Sequence, residues 1–136
     1  MDAKKRSTLN FHQNLGKLFF AIAAVDGSVR VEELEKLRKI VKNEWLSTNF
    51  VKDDLKVEAE QAIINTFRWL RDDNEYNANE CYNSFLIYMK NHKELFTDDV
   101  NKLIIKTASK IATSFSKMNK SELMLLAKLD IELKNN

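Results

Sequence analysis

The sequence predicts an all-α protein, a compact bundle of about six helices in one domain over residues 1–136. Two observations on composition support this prediction: the chain contains no proline and only 2 glycines. Helices can therefore run without interruption, whereas a β-rich fold would lack residues for its tight turns. The third observation is that apolar residues recur every three or four positions along most of the chain, which is the period of an amphipathic helix.

The overall composition is typical of a globular domain with its own core. Hydrophobic residues make up 44% of the chain and charged residues 31%, so 136 residues can bury a core without disulfides or metals. The single cysteine, Cys81, excludes an intrachain disulfide and is expected to be an inert core residue. The longest apolar run, residues 18–25, is too short to cross a bilayer and does not resemble a signal peptide. We therefore expect a cytoplasmic protein with no transmembrane segment.

The first two predicted helices meet at a glycine. Ser7 or Asn10 is expected to cap the first helix, with residues 1–6 frayed, and Gly27 is expected to stop it. The inner face of this helix is Phe11, Leu15, Leu18, Phe19 and Ile22. The second helix is expected over about residues 31–45, with Leu34, Leu37, Val41 and Trp45 facing the core.

Four further helices follow, separated by short polar segments. The third is predicted over about residues 53–71. The pair Asn77 and Glu80 indicates the start of the fourth helix, Thr97 starts the fifth and Asn119 starts the sixth. The apolar period of the sixth helix predicts an inner face of Leu123, Leu126, Leu129 and Leu133.

Two segments of the chain resemble each other. Residues 22–34 align without gaps on residues 111–123, with Ile22 on Ile111 and Glu33 on Glu122. Each copy is predicted to be a helix, a tight corner and a second helix. The first two and last two helices are therefore expected to form pseudo-repeated pairs that flank a central helical hairpin.

The corner between the first two helices carries a short motif. An apolar, alanine-rich helix end is followed by Asp26 and Gly27 and then, seven positions after the aspartate, by Glu33. This pattern, over residues 20–37, resembles the tellurite-resistance TerB-like family. It differs from the family at Arg30, where a serine or threonine is frequent, and the second copy has Phe115 where an aspartate would stand.

The resemblance implies a function as well as an all-helical fold. It implies that Asp26 and Glu33 bind a divalent metal such as Ca²⁺ or Mg²⁺. It also implies a non-enzymatic module that binds other proteins in bacterial stress response or phage defence. The absence of any catalytic constellation in the sequence agrees with a protein that is not an enzyme.

The residues of the corner also permit a purely structural interpretation. If Arg30 is the N-cap of the second helix, Glu33 is the third helical position, from which a glutamate reaches back to the N–H of the cap. Val29 and Leu34 would then form the hydrophobic staple that accompanies such a start. Two carboxylates alone give Ca²⁺ or Mg²⁺ too few ligands, so a metal site would need other groups. Those could be Glu32, backbone carbonyls, or the acidic loop of Asp72, Asp73 and Glu75.

Other candidate residues point to surfaces rather than to chemistry. His12 and His92 lie on separate helices, are expected at the surface or its boundary, and do not predict a zinc site. Trp45 has core spacing, whereas Trp69 lies partly off its stripe, and an exposed Trp69 would indicate a surface for a partner.

The alternative hypothesis is a nucleic-acid-binding domain. It would use the basic side chains of the second helix, Lys36, Arg38, Lys39 and Lys42. The formal net charge of +2 gives no broad positive field for phosphates, so charge alone does not favour this function.

Overall fold

The computed structural model describes residues 3–25, 27, 29–48, 51–73, 77–115 and 120–136, with side chains from residue 8 onward. Within these ranges the chain has six α-helices and no strand, which confirms the predicted fold class. The helices are α1 (Ala3–Ala24), α2 (Glu33–Ile40), α3 (Lys56–Asp72), α4 (Ala78–Asn91), α5 (Asp98–Phe115) and α6 (Lys120–Lys134). None of these helices has the length and apolar character that a bilayer crossing needs.

Three short helical turns extend this framework. A π-helical turn, Val41–Trp45, continues α2 to the predicted end of the second helix. The 3₁₀ turns Asp53–Leu55 and Lys93–Leu95 precede α3 and α5.

The start of α1 differs from the prediction. The helix begins at Ala3, before Ser7 and Asn10, so neither residue is its N-cap. Asn10 instead lies within the helix, where its carbonyl accepts a hydrogen bond from Asn14 Nδ2 at 2.8 Å. The run of alanine, lysine and arginine before Ser7 consists of strong helix formers, which explains the earlier start.

The starts of α4 and α5 confirm the sequence signals. Asn77 Oδ1 accepts the N–H of Glu80 at 2.9 Å, and Glu80 Oε1 accepts Asn77 Nδ2 at 3.0 Å. Thr97 Oγ1 accepts the N–H of Val100 at 3.3 Å. The bonds donated by the N–H groups of Glu80 and Val100 satisfy helix N–H groups that have no partner within the helix. The predicted cap of α6, Asn119, lies outside the described residues.

Helix α1, and not the predicted hairpin of the third and fourth helices, is the central element of the bundle. It packs along both α3 and α4, while α2 contacts α5 and α3, and α5 packs on α6. The contact with α3 is close at Gly16, where an added Cβ would lie 2.8 Å from the carbonyl oxygen of Ile63 and 2.9 Å from Thr66 Cβ. Only a residue without a side chain fits at this position.

The inner face of α6 differs from the prediction. Leu125, Leu129 and Leu133 are buried, Leu126 is half-buried, and Leu123 is 51% exposed. Leucines occupy two neighbouring stripes of this helix, so periodicity alone could not determine which stripe faces the core. Packing against α5 buries the stripe formed by Leu125, Leu129 and Leu133.

Candidate functional site

The corner between α1 and α2 turns at Gly27, as predicted. Helix α1 ends at Ala24, and the N–H of Gly27 donates a hydrogen bond to the Ala24 carbonyl at 3.1 Å. Gly27 has φ +153°, in the positive region that residues with side chains rarely adopt. Asp26, the first predicted metal ligand, lies outside the described residues.

Glu33 makes the hydrogen bond expected of a helix start. Its Oε1 accepts the N–H of Arg30 at 2.8 Å, and the side chain is buried. The N–H groups of Glu33 and Leu34 donate to carbonyls three residues earlier, Arg30 and Val31, each at 3.1 Å. Residues 30–33 therefore form a tight turn, and the α-helix begins at Glu33 rather than at the predicted residue 31.

The two apolar residues on either side of this turn support the same interpretation. Val29 is buried, and Leu34 packs against the same core. The predicted hydrogen bond of Glu33 to the N–H of Arg30 is confirmed. The N-cap of α2 is Glu32 rather than Arg30, however, so Glu33 is the first helical residue and not the third.

The end of α3 is attached to this corner. Arg71 Nε donates to the carbonyl of Val29 at 3.1 Å, and its guanidinium is also paired with Asp72. The acidic end of α3 therefore does come close to the corner. However, the contact uses a cation, which occupies a backbone carbonyl that a metal could have used and would repel a second cation.

The described residues of the corner do not form a metal site by themselves. Among them, no three His, Cys, Asp or Glu side chains are close enough together to hold a metal ion. Glu75, another predicted contributor, lies outside the described residues, as Asp26 does. A metal site at Asp26 and Glu33 stays a prediction, and one Glu33 oxygen is already engaged by Arg30.

The second copy of the motif resembles the first in its burial. Ile111 and Glu122 are both fully buried, as Ile22 is, and Glu33 is 8% exposed. A glutamate is thus buried at the start of α6 although no Asp-Gly pair precedes it. This parallel favours a role in the helix start for both glutamates.

The basic side chains of α2 and of the π turn that follows it are largely engaged by neighbours. Arg38 lies 3.6 Å from Glu60 and 3.7 Å from Glu35, and Lys42 lies 3.9 Å from Glu60. Lys36 Nζ donates to the carbonyl of Ser114 at 3.4 Å. These acidic neighbours reduce the positive field that the nucleic-acid hypothesis requires.

His12 is buried, so the predicted position at the surface or its boundary is wrong for this residue. Its side chain is 3% exposed, Nδ1 lies 2.7 Å from the Thr8 carbonyl, and Nε2 accepts Trp45 Nε1–H at 2.9 Å. Both ring nitrogens have partners, which permits burial of the neutral ring. Burial lowers the pKa of His12 from 6.5 to about 4.

The sequence did contain a signal for this position. His12 lies three residues before Leu15 and seven before Phe19, both on the inner face of α1. Its ring contacts Phe11 and Trp45, and Phe11 in turn contacts Phe96. His92, by contrast, is half-buried, as predicted for a boundary residue.

An exposed tryptophan borders a cleft between α1, α3 and α4. Trp69 is 53% exposed and lines a cleft of about 310 Å³ together with Lys17, Glu80, Cys81 and Ser84 among others. Lys17 Nζ donates to Ser84 Oγ at 3.1 Å. Among the described residues no carboxylate lies within 4.0 Å of this ammonium. The site therefore combines an indole face with a half-buried cation.

Cys81 contributes an apolar wall to this cleft. Its side chain is 3% exposed, which confirms the predicted core position. Burial raises the pKa of the thiol, so the reactive thiolate is disfavoured at neutral pH.

Comparison of the chain with protein-family models, curated proteins and solved structures finds no match. The resemblance to the TerB-like family therefore rests on the corner motif and, more weakly, on its second copy in residues 111–129.

Proposed function

We propose that this protein is a non-enzymatic helical module that binds other proteins, of the TerB-like kind, in bacterial stress response or defence. The observation that carries the binding role is the half-exposed Trp69 beside the cleft of Lys17. Tryptophan is strongly enriched among the residues that dominate binding energy at protein interfaces. The family assignment is supported by the Asp26–Gly27–Glu33 spacing and by the positive φ of Gly27.

The cleft indicates the chemistry of the group that would cover Trp69. Lys17 is half-buried and has a hydroxyl partner but no described carboxylate within ion-pair distance. A partner that supplies an acidic side chain to Lys17 and an apolar one to the indole would bury both groups favourably. Glu80 also lines this cleft, and its carboxylate would repel an acidic group placed beside it.

Affinity capture from the native cells tests this function. The tagged wild-type protein is compared with Trp69→Ala and with Val57→Ala, a control on the same helix that is 64% exposed. We expect Trp69→Ala to lose at least one partner that Val57→Ala retains, with unchanged helical content by circular dichroism. Equal partner sets for all three proteins would contradict the proposal.

The divalent-metal part of the hypothesis has its own test. Isothermal titration with Ca²⁺, Mg²⁺, Mn²⁺ and Zn²⁺ should give heat for the wild type and none for Asp26→Asn. Glu35→Gln provides the control, because this carboxylate of α2 is exposed and is not one of the proposed ligands. If the wild type gives neither heat nor a change in melting temperature, the metal is removed from the proposal, and binding through Trp69 is unaffected.

A further inference from the structure

Helix α6 has a second apolar face that the fold does not use. Its inner residues Leu125, Leu129 and Leu133 complete the core, while Leu123, Met124 and Ile131 on the opposite side are 51%, 53% and 57% exposed. With Ala127, which is also exposed, these residues form a line over two turns of the helix. We name Leu123, Met124, Ala127 and Ile131 the outer stripe of α6.

The shape of the outer stripe fits another helix. Leu123, Ala127 and Ile131 are each four residues apart and so lie one above another on the same face. The small Ala127 leaves a gap between two larger side chains, into which a side chain of an approaching helix can insert. The stripe is therefore suited to helix–helix packing.

Charge at the borders of the outer stripe selects the kind of helix. Lys120 and Lys128 are exposed, and neither has a carboxylate within 4.0 Å among the described residues. Of the acidic residues of α6, Asp130 is paired with Lys134 at 3.0 Å and Glu132 with Lys90 at 3.7 Å, and Glu122 is buried. The border of the stripe thus presents unpaired positive charge.

A second copy of the chain fits this border poorly. Antiparallel pairing of two α6 helices about Ala127 would place Lys120 opposite Lys134 of the second copy and the two Lys128 side chains beside each other. Parallel pairing would place each lysine opposite the same lysine of the second copy. Like charges at these positions oppose association.

We infer that the outer stripe of α6 binds an amphipathic helix of another protein whose apolar face is bordered by acidic side chains. The outer stripe is separate from the Trp69 cleft, so the inference about it can be tested independently of the proposed function. Leucine, methionine and isoleucine would contact the apolar face of the partner helix, and Lys120 and Lys128 would pair with its carboxylates.

Two designed peptides with the same apolar helical face test this inference. In one peptide the apolar face is bordered by glutamate, and in the other by lysine; binding is measured by fluorescence anisotropy. We expect the glutamate peptide to bind the wild type about tenfold more tightly than the lysine peptide. The double variant Lys120→Glu/Lys128→Glu should reverse this preference.

A matched pair of variants locates the binding surface. Ile131→Glu should lose binding of the glutamate peptide, whereas Ile87→Glu, on the 62% exposed Ile87 of α4, should retain it. Both positions are exposed, so both variants should keep the wild-type circular dichroism spectrum. Equal affinity of the wild type for both peptides, or equal binding by the two variants, would overturn the inference.

Two further measurements distinguish the other occupants of the stripe. Sedimentation equilibrium that shows a wild-type dimer and an Ile131→Glu monomer would assign the stripe to a second copy. Cosedimentation with phosphatidylglycerol vesicles that is lost in Ile131→Glu would assign it to a membrane surface. Either result would overturn the inference of an acidic partner helix.

Discussion

The two copies of the repeated motif share their layout but differ in their buried polar groups. The register that places Ile22 on Ile111 also places His12 of α1 on Asn101 of α5. His12 bonds to Trp45, at the end of the π turn that follows α2, and Asn101 Nδ2 donates to the carbonyl of Leu133 near the end of α6 at 3.3 Å. In both copies, therefore, a polar residue of the first helix forms a hydrogen bond to the end of the helical segment that follows the corner. The first unit uses a titratable ring and the second an amide, so only the first attachment responds to pH.

The two units also differ in their position within the bundle. Gly16 of α1 corresponds in the same register to Ile105 of α5. Gly16 lies in backbone contact with α3, whereas Ile105 is half-buried beside a cleft between α5 and α6. Helix α1 is thus enclosed by neighbours, and α5 keeps room for a large side chain. The same helix-corner-helix pattern can therefore occupy either the centre of the bundle or its periphery.

The largest effect on stability is expected when Gly16 of α1 is replaced by isoleucine, the residue at the equivalent position of α5. Gly16→Ile would place side-chain atoms against the carbonyl of Ile63 and should lower the free energy of unfolding by about 3 kcal/mol or more. Urea denaturation followed by circular dichroism measures this. The control Asn10→Ile, at an exposed position of α1, should change stability by less than about 0.5 kcal/mol. Similar values for the two variants would disprove the close packing of α1 on α3.

Acid should weaken the first unit through His12. Because the pKa of His12 is about 4 in the folded protein and 6.5 ordinarily, the unfolded chain binds the proton first as the pH falls. The stabilising contribution is therefore complete above pH 6.5 and is lost towards pH 4, up to about 3 kcal/mol. Chemical denaturation at several pH values should show this loss in the wild type.

Two variants isolate the contribution of His12 from that of the carboxylates. His12→Gln should remove most of this acid-dependent loss, because its amide does not titrate and its oxygen can accept the hydrogen bond from Trp45 Nε1–H. His92→Gln, on the half-buried histidine at the end of α4, should retain the loss. An identical pH profile for His12→Gln and the wild type would show that the Trp45 bond does not depend on the neutral ring.

Substitution of Glu33 separates the helix start from a metal ligand. Glu33→Ala should lower the free energy of unfolding by about 1–2 kcal/mol, since the N–H of Arg30 loses its partner. Glu33→Gln should restore most of this stability, because the amide oxygen can accept the same bond. Thermal denaturation in EDTA provides the measurement. Equal loss for both substitutions would indicate that the negative charge, rather than the hydrogen bond, is required.

The smallest expected effect compares the two leucines that the repeat aligns. Leu34→Ala should lower the free energy of unfolding by about 1 kcal/mol, because Leu34 packs against the core. Leu123→Ala should change it by less than about 0.5 kcal/mol, since Leu123 is exposed. Urea denaturation of both variants provides the comparison. Equal losses would mean that the two copies pack alike.

The short motif at the corner is compatible with more than one structure. The spacing of Asp26, Gly27 and Glu33 permitted both a metal site and a helix start, because both need a carboxylate near free backbone groups. The Arg30–Glu33 bond and the position of Arg71 support the helix start. The hydrogen bond between Arg71 and Val29 could not be predicted, since these residues are far apart in the chain.

The local features of this protein could be predicted from neighbouring residues in the chain. The caps at Asn77 and Thr97, the turn at Gly27 and the reach of Glu33 to Arg30 all join groups within about three residues of each other. Such contacts depend on short-range geometry, which residue type and spacing specify. The inner face of α2 followed equally well, because this helix has one dominant apolar stripe.

Tertiary structure alone decided which of several suitable faces would be buried. Helix α6 has leucines on two stripes, so the contact with α5 selected the inner one and left Leu123 outside. His12 became buried because Trp45, distant in sequence, satisfied its ring, and Gly16 marks where α3 passes over α1. These outcomes depend on which helices meet, and local propensity does not contain that information.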